Sequence, residues 1–104
     1  MALIRIAVVT SLLWAACAAA QSQDPTLGRG VAAGCSACHG TNGASVGQVP
    51  SLAGAQRAEI ILKMQEFKSG KRQGTIMPQL AKGYTDDQID LAATWFASQP
   101  APAK

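Results

Sequence analysis

The sequence predicts an all-α fold, three main helices in one small domain, and three observations predict it. Apolar residues recur at helical spacing in two stretches: Ile60, Ile61, Met64 and Phe67, then Ile89, Ala92, Ala93 and Phe96. Thr85-Asp86-Asp87-Gln88 has the form of a capping box in front of the second stretch. No convincing strand flanks Cys35 to His39, the pentad around which the rest of the chain is arranged.

Met1 to Ala20 reads as a secretory signal peptide, with Arg5 as the positive region, Ile6 to Ala16 as the apolar region, and Ala18-Ala19-Ala20 as the cleavage site. As a membrane span, the run from Ile6 to Ala20 is short against the roughly 20 residues that a bilayer core requires. Cys17 admits a lipoprotein reading, but Trp14 stands where such signals usually carry Leu, and an uncleaved anchor is the other alternative. Cleavage after Ala20 leaves residues 21–104 as a single domain with its core at about 24–99, and no stable membrane insertion of that mature chain is expected.

The whole chain of 104 residues has a formal net charge of +3, to which Arg5 contributes. That balance lacks the basic footprint of a nucleic-acid binder, so no nucleic-acid partner is expected. Aromatic residues make up 5% of the chain. A mature domain this small is near the size at which a core made only of side chains is marginal, so a bound prosthetic group would supply missing apolar volume.

Asp24-Pro25 looks like an N-cap followed by Pro at the first helical position. A helix from there would run through Leu27, Val31 and Ala32 into the pentad. Gly28 and Gly30 are poor helix formers, which predicts close approach of another helix; a frayed or late-starting helix is the alternative.

The pentad Cys35-Ser36-Ala37-Cys38-His39 is C-x-x-C-H, the spacing of a c-type haem attachment site. Thiols three positions apart can reach the two vinyl groups of one haem and become thioethers. The histidine that follows can ligate the iron through a neutral imidazole nitrogen. The candidate haem residues are therefore Cys35 and Cys38 for covalent attachment and His39 for the iron. A zinc site usually takes four ligands, whereas the chain holds one His and three Cys, one of them in the leader. A thioredoxin-type dithiol expects a βαβ context. A Cys35–Cys38 disulfide would close too small a loop to stabilise much.

Gly40 to Gly54 reads as loop, punctuated by Gly40, Gly43, Gly47, Pro50 and Gly54. Ligating histidines commonly donate their other N–H to a carbonyl, and Pro50 is the candidate acceptor, with a plain turn proline as the alternative. From about Gln56 to Ser69 a helix is expected, with Arg57, Glu59, Lys63, Glu66 and Lys68 facing away from its apolar stripe and Gly70 as C-cap. Met64, on that stripe, reads as core filling.

Gly70 to Gly83 shows no clear periodicity and reads as a long, functional loop. It carries Met77, followed by the stiffening Pro78. A thioether is a soft ligand for iron, and His/Met ligation raises the potential of cytochromes c, so Met77 is the predicted sixth ligand. The last helix follows the capping box, Trp95 borders its inner face, Pro100 ends it, and Ala101 to Lys104 reads as a loose tail. Lys63, Lys68, Lys71 and Arg72 form a basic cluster in sequence and Asp86, Asp87 and Asp90 an opposite, acidic patch, which predicts a partner surface on the basic cluster; two ordinary solvated faces are the alternative.

With these residues in view, the sequence resembles the short bacterial class I cytochromes c over nearly all of Asp24 to Gln99. The likeness rests on Cys35-Ser36-Ala37-Cys38-His39-Gly40, Pro50-Ser51-Leu52-Ala53-Gly54, Met77 ahead of the Thr85 cap, and Trp95-Phe96-Ala97-Ser98-Gln99. The resemblance implies the small class I cytochrome c fold, three main helices packed around one covalently bound haem c with its iron. It also implies crossed terminal helices, pairing Gly28 or Gly30 with Trp95 or Phe96. A narrower likeness, through Phe67-Lys68-Ser69-Gly70, Thr75-Ile76-Met77 and Ala81-Lys82-Gly83-Tyr84, is to the cytochrome subunit of flavocytochrome c sulfide dehydrogenase. Some of those subunits carry two haems; this chain, with one C-x-x-C-H, matches only a single-haem form.

The expected function is a periplasmic c-type cytochrome passing single electrons between redox-partner proteins. The alternative is the electron-accepting haem subunit of a sulfide dehydrogenase, with a flavoprotein as its partner. A third option, a haem that binds a small molecule, would require Met77 to leave the iron. No general base or nucleophile constellation appears, so no enzyme activity is expected of the chain alone.

Overall fold

A computed structural model describes residues 25–103. The expected signal peptide with Cys17, the Asp24 cap and Lys104 lie outside the described residues. Five helices are named here: α1 (Pro25–Ala32), α2 (Ser36–His39), α3 (Arg57–Ser69), α4 (Met77–Ala81) and α5 (Asp86–Ala97). Single 3₁₀ turns cover Ala33–Cys35 and Thr41–Gly43. No strand occurs among the described residues, and no described helix is long and apolar enough to cross a membrane. The all-α expectation holds, with α1, α3 and α5 as the main helices.

Helix α5 starts where its capping box dictates. Gln88 N–H donates to Thr85 Oγ1 (3.1 Å), and Thr85 N–H donates to Gln88 Oε1 (2.9 Å), so two otherwise orphaned amides are satisfied. Asp86 and Asp87 lie in the first turn, where the helix dipole favours negative charge. Ile89, Ala93 and Phe96 are buried. Helix α3 ends as expected at Gly70, whose φ of 83° is a left-handed cap. Its stripe places Ile60 in the core and Met64 against it.

Helix α1 packs on α5, and Gly28 is the reason the two can approach. A Cβ at Gly28 would lie 2.7 Å from the Leu91 carbonyl oxygen and 3.3 Å from Trp95 Cβ, whereas a Cβ at Gly30 would meet nothing within 4 Å. The glycine–aromatic crossing therefore pairs Gly28 with Trp95. Phe96 turns the other way, and a Cβ on Gly43 would sit 2.7 Å from its ring. These glycines give a paired prediction. Gly28→Ala forces a backbone shift and is expected to cost about 1–3 kcal/mol. Gly30→Ala gains helix propensity in open space and is expected to stabilise by about 0.5–1 kcal/mol. Thermal unfolding of the two variants in parallel checks the opposite signs.

The core is thin. Ala32, Ile60, Ala93 and Phe96 form its centre, and Phe96 is its large, fully buried side chain. Cys35, Leu52, Met64 and Trp95 are packed around it.

Four expectations are corrected. The segment from Gly70 to Gly83 is not loop throughout, because α4 occupies Met77–Ala81. Pro78 sits in its first turn, where a fixed φ and a missing N–H are tolerated; five residues are too few to show periodicity. Glu66 and Lys68 do not simply face away: Arg72 Nε–H donates to Glu66 Oε2 (2.7 Å), and Lys68 Nζ donates to the Tyr84 carbonyl (2.8 Å). The tail is not loose at Ala101, which packs so closely on Gly54 that a Cβ there would lie 2.8 Å from Ala101 Cβ. The two charge clusters are not separate either, because α3 packs on α5 and brings Lys68 of one against Asp86 of the other. Lys68 pairs with Asp86 (3.2 Å), Arg57 with Asp90, Lys63 with Glu59 (2.6 Å) and Arg72 with Glu66. Hydrogen bonds from Gln65 and Lys68 hold the Asp86 carboxyl below its ordinary range.

Candidate haem site

The backbone stays right-handed from α1 through the 3₁₀ turn into α2: Ala32, Cys35 and Ser36 all have αR dihedrals. Cys35 and Cys38 are thus one helical turn apart in spacing, which puts their side chains on neighbouring positions. Both are free thiols; Cys35 is half-buried against the core and Cys38 is exposed. Burial pushes the Cys35 thiol up, the opposite of the lowered value that marks a reactive dithiol. Among the described residues, no group of three or more His, Cys, Asp and Glu side chains is placed to hold a metal ion.

Gly40 ends α2. Its φ of 88° is a conformation that side chains rarely adopt, and a Cβ there would run into the Ala44 carbonyl. The chain turns through Asn42 (φ 54°) and Gly43, and Leu52 N–H and Ala53 N–H both donate to the Gly43 carbonyl, at 2.8 and 3.1 Å. Ser45 N–H donates to Ser51 Oγ at 2.9 Å, a second tie across the loop. This closed loop returns the Pro50 carbonyl to His39, whose Nδ1 lies 2.5 Å from it. A carbonyl only accepts, so Nδ1 is the donor in this bond and Nε2 is the ring nitrogen left for another partner.

Met77 is half-buried at the start of α4, an element separate from the pentad that packs on α3. The turn that contains it is fixed by Gln79 N–H and Leu80 N–H, which donate to the Ile76 carbonyl at 3.0 and 3.1 Å. Met64, by contrast, packs against the core cluster.

The donor set fits haem c. Two free thiols at i and i+3 match two vinyl groups, and an imidazole oriented through Nδ1 leaves one nitrogen for iron. Apolar side chains suited to a flat macrocycle flank the candidate ligands: Val49 beside Pro50, Ile76 beside Met77, and Leu80 within α4, exposed by 40, 54 and 46%.

The family model described as Cytochrome c matches residues 26–99. The chain belongs to the cytochrome c family. It is a c-type electron-transfer protein whose cofactor is covalently bound haem c with its iron. Over 64 residues this cytochrome is 41% identical to the cytochrome subunit of sulfide dehydrogenase from Chlorobaculum tepidum, covering 62% of this chain and 58% of that protein. Over 70 residues it is 31% identical to a thiosulfate dehydrogenase electron acceptor of Stutzerimonas stutzeri, covering 65% of this chain and 32% of that one. Over 69 residues it is 30% identical to cytochrome c-554(548) of Halomonas halodenitrificans, covering 62% of this chain and 83% of that one. The match therefore spans less than two thirds of the first two relatives and most of the third.

Sequence reasoning missed the Lys68–Tyr84 and Arg72–Glu66 ties, which fall on either side of α4 in the chain. The second lies only six residues apart and could have been read as a charge pair; the first ends on a backbone carbonyl, which leaves no side-chain signal.

Proposed function

We propose that this cytochrome is a periplasmic carrier of single electrons, exported by cleavage after Ala20, with the cytochrome domain at residues 21–104. Cys35 and Cys38 anchor the haem as thioethers, His39 and Met77 hold its iron, and the Pro50 carbonyl orients His39. The observation that carries this reading is the His39 Nδ1 hydrogen bond, which fixes the ring one residue after the second thiol. Haem supplies a one-electron couple when bound. The chain's part is to keep one ligand set in both oxidation states, to exclude small ligands and to surround the group with apolar side chains. The soft thioether of Met77 favours ferrous iron and so raises the potential.

The redox partners are other proteins, and by itself the chain catalyses no reaction. A second reading, the haem subunit that accepts electrons from a flavoprotein sulfide dehydrogenase, draws support from the 41% identity to such a subunit. Redox titration of the purified protein tests the carrier reading. One electron per chain is expected, with no carbon monoxide binding to the reduced form. Met77→Ala is expected to lower the potential and admit carbon monoxide, while Met64→Ala lowers stability and leaves both unchanged. Ready carbon monoxide binding by the unmutated protein would overturn the reading.

A further inference from the structure

The last turn of α3 grips the Met77 segment at both ends. At the near end, Arg72 donates its backbone N–H to the Glu66 carbonyl (3.2 Å) and its Nε–H to Glu66 Oε2 (2.7 Å), with its guanidinium 5.9 Å from the Phe67 ring centroid. In the middle, Gly74 is wedged between Phe67 and Pro78: a Cβ there would lie 3.1 Å from the Phe67 ring and 3.2 Å from Pro78 Cδ. At the far end, Lys68 Nζ donates to the Tyr84 carbonyl (2.8 Å) and to Asp86 Oδ1 (3.2 Å), with its side chain 26% exposed. Backbone bonds continue from α4 to that carbonyl, through Gly83 N–H to Leu80 O (3.0 Å) and Tyr84 N–H to Ala81 O (3.2 Å). The segment from Arg72 to Tyr84, which carries Met77 on α4, is thus held by three consecutive residues of α3: Glu66 at its start, Phe67 in its middle and Lys68 at its end.

We propose that Glu66, Lys68 and Arg72 are positioning residues that hold Met77 in place and set how readily it gives way to an external ligand. This rests on the reading of Met77 as the sixth ligand. Pro78 fixes its own φ beside Met77, so a backbone shift that withdraws the thioether loads the ties on either side of α4. Ties that are stronger with Met77 in place shift the equilibrium toward that state by their difference in strength. Hydrogen bonds from a charged donor are the stronger kind, and the ammonium of Lys68 supplies one in a partly shielded setting.

Imidazole titration of the oxidised, haem-loaded protein tests this, with Met77→Ala run alongside. Lys68→Met keeps the aliphatic stem and removes the donor. It is expected to bind imidazole roughly tenfold more tightly than the unmutated protein, the scale of one lost charge-assisted hydrogen bond. In the Met77→Ala background, Lys68→Met is expected to add nothing, because no thioether is left to displace. Amide exchange at residues 79–84 should quicken in Lys68→Met, and Lys63→Met, whose Glu59 pair lies outside the segment, should match the unmutated protein. Glu66→Gln at the near end gives a second variant should the first fold poorly. An unchanged affinity in Lys68→Met and Glu66→Gln beside a raised one in Met77→Ala would overturn the positioning role and leave the ligand reading standing. An equal gain in the Met77→Ala background would mark general loosening and overturn it as well. A Met77→Ala variant that binds imidazole no better than the unmutated protein would overturn both.

Discussion

Replacing Cys35 and Cys38 with Ala is expected to abolish covalent haem altogether. The prediction follows from the donor set, because a thioether needs a thiol to add across each vinyl group and alanine offers none. Made in a host with haem-attachment machinery, the unmutated protein should have the mass of residues 21–104 plus one haem. It should also give a haem-stained band after denaturing electrophoresis. The double variant should lose that band, and each single variant should keep one thioether at reduced yield. Cys35 is half-buried against the core, so its loss should also cost packing, whereas exposed Cys38 should not. Haem that extracts freely from the unmutated protein into acidified organic solvent would refute covalent attachment. A mass that includes Met1, or a lipid on Cys17, would refute cleavage after Ala20.

What the sequence revealed divides by the range of the interaction. The pentad, the Thr85 capping box and the Gly70 cap are encoded within a few residues, and α3 ends and α5 begins where those signals put them. Helix α4 escaped because its start is set by Pro78 and its length gives no period. The Pro50 carbonyl was reachable as a guess, since a ligating histidine wants a backbone acceptor, but the bond itself depends on the Gly43 turn closing correctly. That the two charge clusters touch was hidden because sequence separates Lys68 from Asp86, while packing of α3 on α5 brings them together. Gly28 and Gly30 look alike in sequence; only the crossing helix distinguishes them.

Phe96→Ala is expected to cost about 3–5 kcal/mol, the usual loss for a buried aromatic cut back to a methyl. Phe96 is 1% exposed and is the large side chain at the centre of the thin core. Its ring stands edge-on to Trp95, with centroids 5.2 Å apart, and presses on the Gly43 turn from the other side. A folded protein typically has only about 5–15 kcal/mol of stability to lose, so this one change should remove a large share. The effect should also reach the haem site. The Gly43 carbonyl accepts from Leu52 and Ala53, and the loop they close carries Pro50 to His39. A void under Gly43 leaves that loop free to shift, so the variant should hold His39 less firmly as well as unfold earlier. Leu62→Ala is the control, since Leu62 is 56% exposed, and it should stay within about 0.5 kcal/mol of the unmutated protein. Denaturant unfolding of the two variants, followed by both helical signal and haem absorbance, separates the effects. Equal stability in Phe96→Ala and Leu62→Ala would mean that the bound haem, not Phe96, carries the core.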